Sequence, residues 1–130
     1  MFNYAAVGSN NLEKAKAFYD QLLGTIGMHK IFDHPSGGRL YGQFGVSAFG
    51  VLGPYDKQKA TVGNGTTFGF GLKSPAEVDT FHAKAMSLGA TDEGAPGRRG
   101  GENSPAYFAY FRDLDGNKLC AYHFGPLLGS

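Results

Sequence analysis

The chain has no tryptophan and a single cysteine, Cys120, among its 130 residues. One thiol excludes an internal disulfide framework and fits a reducing compartment. Charge of either sign is also in short supply. The 12 Lys and Arg nearly cancel the 11 Asp and Glu, leaving a net charge of +1. That balance builds no field for nucleic acid or an anionic membrane, and neither is expected as a partner. No apolar run approaches the ~20 residues that a membrane-spanning helix needs. The opening residues Met1-Phe2-Asn3-Tyr4 lack the basic and then apolar pattern of a secretory signal. A cytoplasmic location is the expectation.

What the chain does have is glycine, 21 residues of it, with neither a collagen-like period nor a long low-complexity tract. The glycines punctuate short segments, as expected where strands turn tightly or leave space beside them. A hydrophobic fraction of 42% supports a packed core. By length, residues 1–130 are expected to form a single domain.

Two helices follow from apolar spacing. Leu12, Ala15, Tyr19 and Leu22 recur at three and four residues and form one face, with Asn10 as the cap and Gly24 as the stop. The second helix has Ser74 as its cap, Pro75 at its first position and Glu77 completing a capping box. Its stripe is Val78, Phe81, Ala85 and Leu88, and Gly89 ends it. His82 lies beside that stripe and is expected at the surface. Phe18 matches Phe81, and Tyr4 matches Thr67, both 63 residues on. A common shift for helix and preceding strand predicts an internal duplication.

Strands are expected before each helix and over residues 28–33, 39–44, 47–52, 106–112 and 117–124. Between the last two, Asp113-Leu114-Asp115-Gly116 reads as a tight turn. Residues 94–105 are polar and glycine-rich and read as a loop around one short strand. The pattern is an α+β fold of two βαβββ modules, the first over about residues 1–55 and the second over about 64–124.

Three stretches carry a resemblance: Asn11-Leu12-Glu13-Lys14-Ala15-Lys16-Ala17-Phe18-Tyr19, Gly63-Asn64-Gly65-Thr66-Thr67-Phe68-Gly69-Phe70, and Phe111-Arg112-Asp113-Leu114-Asp115-Gly116-Asn117-Lys118. In order and spacing, over about residues 2–124, the chain resembles the vicinal oxygen chelate superfamily of glyoxalase I, bleomycin-resistance proteins and extradiol dioxygenases. The resemblance implies two modules of curved mixed sheet around a cleft, pairing within one chain or across a homodimer. It also implies His and Glu metal ligands at set strand positions. Here those positions hold Tyr4, Thr67 and Cys120, a phenol, a hydroxyl and one thiol. A divalent ion needs three or four converging N, O⁻ or S⁻ donors, so neither a metal nor another cofactor is expected.

Strand parity offers a separate view of the site. Thr67, Gly69 and Gly71 share one face of their strand, opposite Phe68, Phe70 and Leu72. Lys118, Cys120 and Tyr122 sort together, as do Phe2, Tyr4 and Ala6. The residues expected to bind a small, partly apolar organic ligand are Tyr4, Arg39, Tyr41, Gln43, Thr67, Cys120 and Tyr122. Arg39, Tyr41 and Gln43 alternate onto one face, which is either a set of polar anchors in the cleft or a solvated outer surface. Cys120 is either a nucleophile or a buried inert thiol. Tyr4 either donates to a substrate oxygen or plugs the place of the metal. Arg98 and Arg99 are either an anion clamp or solvated loop charges. Among His29, His34, His82 and His123, no three residues have ligand spacing. The leading reading is a metal-free binder of a small organic molecule. The alternatives are an active lyase, isomerase or dioxygenase, and a bleomycin-resistance-like drug-binding protein.

Overall fold

A computed structural model describes residues 1–125, and over that span each half runs strand, helix and three strands. The chain divides into two compact units, one through Asn64 and the other from Gly65. The first contains β1 (Tyr4–Gly8), α1 (Leu12–Gly24), β2 (Lys30–Asp33), β3 (Arg39–Gln43) and β4 (Ser47–Leu52). The second contains β5 (Phe68–Gly71), α2 (Pro75–Ser87), β6 (Thr91–Arg98), β7 (Ala106–Arg112) and β8 (Lys118–Phe124). The two sheets have the same topology, β1-β4-β3-β2 and β5-β8-β7-β6. In each, the first strand runs parallel to the last and the other pairings are antiparallel. The expected α+β fold of two βαβββ modules is therefore present. The 63-residue offset carries α1 onto α2 end for end.

Local chemistry sets the helix ends, with one correction. Asn11, rather than Asn10, caps α1: its Oδ1 accepts from the Lys14 amide at 3.2 Å. The Asn10 side chain instead clamps a later loop. Its Nδ2 donates to the Ala60 carbonyl at 2.9 Å, and its Oδ1 accepts from the Ala60 amide at 2.7 Å. Two adjacent asparagines are equal candidates to a local rule, and a partner fifty residues away separates them. Ser74 caps α2 as expected, accepting from the Glu77 amide at 3.2 Å. The Glu77 carboxylate reaches one residue further back than a capping box predicts, to the Lys73 amide at 3.1 Å.

Each helix lays its apolar stripe on one face of its own sheet. Tyr19 of α1 sits 5.2 Å from the Phe49 ring and 6.4 Å from the Tyr41 ring. Phe81 of α2 sits 5.5 Å from Phe70 and 6.0 Å from Phe111. All four partners are buried, and each ring contributes about 2–3 kcal/mol of apolar burial. His82 overturns the expectation of a surface position. It is buried edge-on to Phe111, and its Nε2 donates to Asp92 Oδ1 at 3.0 Å. The stripe of α2 is thus wider than its apolar residues indicate, because a carboxylate on β6 supplies the imidazole with a polar partner.

Residues 94–105 also differ from expectation. Their first part belongs to the eight-residue edge strand β6, whose register against β7 shifts near Gly94 and again before Gly97. Glycine-rich sequence reads as loop, but here it marks bulges in a strand. The β7–β8 connection is built by Asp113, whose Oδ1 accepts from the amides of Asp115 and Asn117, both at 2.9 Å. Gly116 turns with φ +92°, a conformation that favours glycine. Among the described residues, no helix is long and apolar enough to cross a membrane.

Candidate functional site

The second sheet has two faces of different character. Phe70, Phe111, Leu119 and Ala121 point to α2 and are buried. The pleat then turns Phe108, Tyr110, Lys118, Cys120 and Tyr122 to the opposite, open face. Across that face the pairing runs Gly71–Tyr122–Phe108–Gly97 in one row and Gly69–Cys120–Tyr110–Gly94 in the next. The central strands carry the side chains, and both edge strands are glycine.

Those glycines make room for specific neighbours. A Cβ at Gly71 would meet the Tyr122 hydroxyl at 3.0 Å, and one at Gly69 would meet Cys120 Sγ at 2.9 Å and Tyr122 Cε1 at 3.2 Å. The bare face of β5 is therefore filled from the side by the Tyr122 ring. On the other edge, a Cβ at Gly97 would sit 3.3 Å from one Arg99 guanidinium nitrogen, and a Cβ at Gly94 3.4 Å from the other. Arg99 folds back across that space, donating to the carbonyls of Gly97 at 2.8 Å and Ala95 at 3.0 Å.

The result is a run of three near-parallel rings with two cations beside it. Tyr122 and Phe108 lie 5.1 Å apart with planes 15° apart, and Phe108 and Tyr110 lie 6.0 Å apart at 16°. Lys118 Nζ is 5.3 Å from the centre of the Tyr110 ring, and the Arg99 guanidinium is 5.8 Å from it. Burial pushes the Cys120 thiol up to about 11, against the opposing pull of Lys118, so the sulfur is a neutral thiol at physiological pH. Of its two sequence readings, the structure supports the inert one. Thr67 is exposed immediately ahead of β5.

The first unit corrects the expected role of the β3 residues. The pairings Tyr41↔Phe49 and Arg39↔Val51 turn both side chains toward α1, so they are neither cleft anchors nor a solvated outer face. The Tyr41 hydroxyl donates to Asp20 Oδ1 at 2.7 Å, and burial and then that bond raise the phenol well above its usual range. Arg39 bridges two carboxylates, Asp33 Oδ1 and Asp20 Oδ2, each at 2.7 Å. Together they bolt the helix to the sheet. Gln43 is exposed at the strand end opposite Ser47. Tyr4 is on the face away from α1, 43% exposed, with its ring 5.6 Å from Phe44. Sequence reasoning brought Cys120 and Tyr122 together correctly with Lys118, but it missed Phe108, Tyr110 and the inward fold of Arg99. Both faces of β7 are aromatic, so its alternation carries no signal of which side is open.

The residues that the resemblance sets at the chelating positions, Tyr4 in the first unit and Thr67 and Cys120 in the second, do not fit a metal. They supply a phenol, an alcohol and a thiol held protonated by burial, and none of these is an anionic or imidazole donor. Among the described residues, no three His, Cys, Asp or Glu side chains group closely enough to hold an ion. His34 accepts from the Ser36 amide at 3.1 Å, and His123 donates to the Leu72 carbonyl at 2.9 Å, so both rings serve local structure.

Comparison with known proteins bears on this arrangement. A family model described as Glyoxalase/Bleomycin resistance protein/Dioxygenase superfamily matches residues 1–121. A crystal structure of a glyoxalase/bleomycin resistance protein from Albidiferax ferrireducens T118 is 44% identical, covering 95% of this chain and 98% of that one with a TM-score of 0.84. A glyoxalase/bleomycin resistance protein/dioxygenase family enzyme from Burkholderia phytofirmans PsJN is 20% identical, covering 94% and 97%, TM-score 0.72. A lactoylglutathione lyase from Agrobacterium tumefaciens is 20% identical, covering 95% and 92%, TM-score 0.67. The last two share the fold. No curated protein matches the chain at a significant level.

Proposed function

The chain belongs to the Glyoxalase/Bleomycin resistance protein/Dioxygenase superfamily, and from that premise we propose that it binds a small organic molecule without the metal its relatives' chemistry calls for. Two observations carry this reading: no His or carboxylate stands at the positions where the resemblance sets the metal ligands, and the second sheet has an open aromatic face. Phe108, Tyr110 and Tyr122 give apolar, flat contact area, and their half-buried setting suits a ligand rather than bulk water. Of the residues expected from sequence, Tyr122, Cys120 and Thr67 remain the proposed contacts on this unit; Tyr4 is a separate candidate on the first unit. An enzymatic reading needs an acid–base pair. The thiol is protonated, and three of the four imidazoles are committed to Ser36, Asp92 and Leu72.

The protein is further read as a single cytoplasmic domain that pairs as a homodimer. The exposed aromatic cluster of Tyr4, Phe32 and Phe44 supports the pairing. The central test has two arms. After exposure to Ni²⁺, Zn²⁺, Mn²⁺ and Fe²⁺ and removal of excess ion, the metal content is expected to be near zero. A protein-observed NMR screen of small organic fragments is expected to find binders that broaden the Tyr122 and Phe108 ring resonances. About one ion per chain, or an empty screen, would overturn the reading.

A further inference from the structure

The open face of the second sheet carries more charge information than an apolar shelf requires. Lys118 and Arg99 converge on one ring, that of Tyr110, at 5.3 and 5.8 Å. Both are half-buried, and among the described residues neither forms an ion pair with a carboxylate. By contrast, Arg39 and Arg112 are each paired with Asp or Glu. Two cations drawn to one ring in a partly desolvated place keep most of their charge, since a ring face offsets only part of it. Glycine at 97 leaves space for the Arg99 guanidinium, since a Cβ there would come within 3.3 Å of it. Arg99 already gives two donors to carbonyls, so it acts as a fixed charge. Among the described residues the Lys118 ammonium forms neither a hydrogen bond nor an ion pair, which makes it the group that binds directly.

Beside this charge stands the run of rings, Tyr122, Phe108 and Tyr110, with planes within 16° of one another at each step. A run of near-parallel rings presents a broad apolar surface that suits the apolar body of a flat partner. Cations at one end of the run select a negative group at one end of that molecule.

We propose that this face takes a planar, conjugated carboxylate, its flat body along the exposed edges of the Tyr122, Phe108 and Tyr110 rings and its carboxylate at Lys118 within the field of Arg99. The inference rests on the small-molecule reading above and adds the ligand's charge and shape. A cationic cargo is disfavoured at this face by the same two residues.

Three probes separate the requirements: trans-cinnamate, the uncharged planar cinnamamide, and the charged but non-planar cyclohexanecarboxylate. Isothermal titration is expected to give cinnamate a preference of about tenfold over either, the scale of one charge-assisted hydrogen bond. Lys118→Gln is expected to reduce cinnamate to the level of the amide and leave the amide unchanged. Lys118→Arg should keep the preference, which guards against a folding defect in the first variant. Tyr122→Leu should weaken cinnamate and amide alike. Equal binding of cinnamate and cinnamamide, or cinnamate affinity unmoved by Lys118→Gln, would overturn the charge requirement. Absence of cinnamate binding would also overturn it. In each of these cases, hits among neutral or aliphatic fragments in the screen above would leave the broader reading standing, and an empty screen would remove both.

Discussion

The Tyr122 ring lies along β5 so closely that a Cβ at Gly71 would come within 3.0 Å of its hydroxyl and 3.1 Å of Cζ. Glycine at 71 is therefore a condition for the position of an aromatic side chain on the neighbouring strand. Gly71→Ala forces the ring to move by a few tenths of an ångström, and Gly71→Val forces it off the strand. We expect the alanine variant to lose less than about 1 kcal/mol, with shifted Tyr122 ring resonances. The valine variant should lose ligand binding as fully as Tyr122→Leu while keeping its far-UV circular dichroism. Unchanged ring resonances in both variants would contradict the packing.

The bolt between α1 and its sheet is testable by removing one oxygen. Tyr41→Phe deletes the hydroxyl that donates to Asp20, in a side chain only 1% exposed. The carboxylate keeps Arg39 as a partner, so the cost is that of one buried hydrogen bond, about 1–2 kcal/mol. Thermal denaturation should show a fall on the order of 4 °C. Because the bond faces the helix, ligand affinity at the second sheet should stay the same.

Cys120 should be slow to alkylate. With its thiol pushed up to about 11 by burial, roughly one part in a thousand is thiolate at pH 8, against roughly a quarter for an unperturbed cysteine. The iodoacetamide rate on folded protein is expected to rise about tenfold per pH unit through this range. Rapid modification near neutral pH would restore the nucleophile reading.

The His82–Asp92 contact between α2 and β6 weakens in acid. The Gly94 amide and then His82 hold the Asp92 carboxyl below its ordinary value of 3.8, against the opposing effect of burial. A folded-state value below the unfolded one adds stability at higher pH and loses it as pH falls through the folded value. The contribution is thus complete above about pH 5 and fades below about pH 4. Urea midpoints measured across that window should drop less steeply for Asp92→Asn than for the parent chain. Asp33, lowered by its bond to Arg39 and then by Lys30, leaves part of the slope in place. Identical slopes would exclude the linkage.

The exposed rings of the first unit predict association. Phe44 stacks against Phe32 at 6.3 Å and lies 5.6 Å from Tyr4, and all three are more than 40% exposed. Light scattering at micromolar concentration is expected to give twice the chain mass, and Phe44→Asp to return it to one. A parent chain that is already monomeric would remove this surface as an interface.

Much of the fold was written in short-range patterns. The Ser74 cap, the apolar stripes and the Asp115-Gly116 turn each depend on residues within a few positions, and the 63-residue repeat writes the same local pattern twice. The parity of β5 and β8 likewise placed Gly69, Gly71, Cys120 and Tyr122 on one face, because pleating is a local property. What parity does not contain is which face a helix covers. Arg39 and Tyr41 alternate like residues of an exposed face, yet Asp20 on α1 draws them inward. His82 reads as a surface residue until β6 brings Asp92 beside it. The caps at Asn10 and Asn11 are separated only by Ala60. Local sequence therefore determined the elements, their order and their two-sidedness. Tertiary structure decided which polar side chains are buried, since the partner that compensates a buried polar group comes from a distant part of the chain.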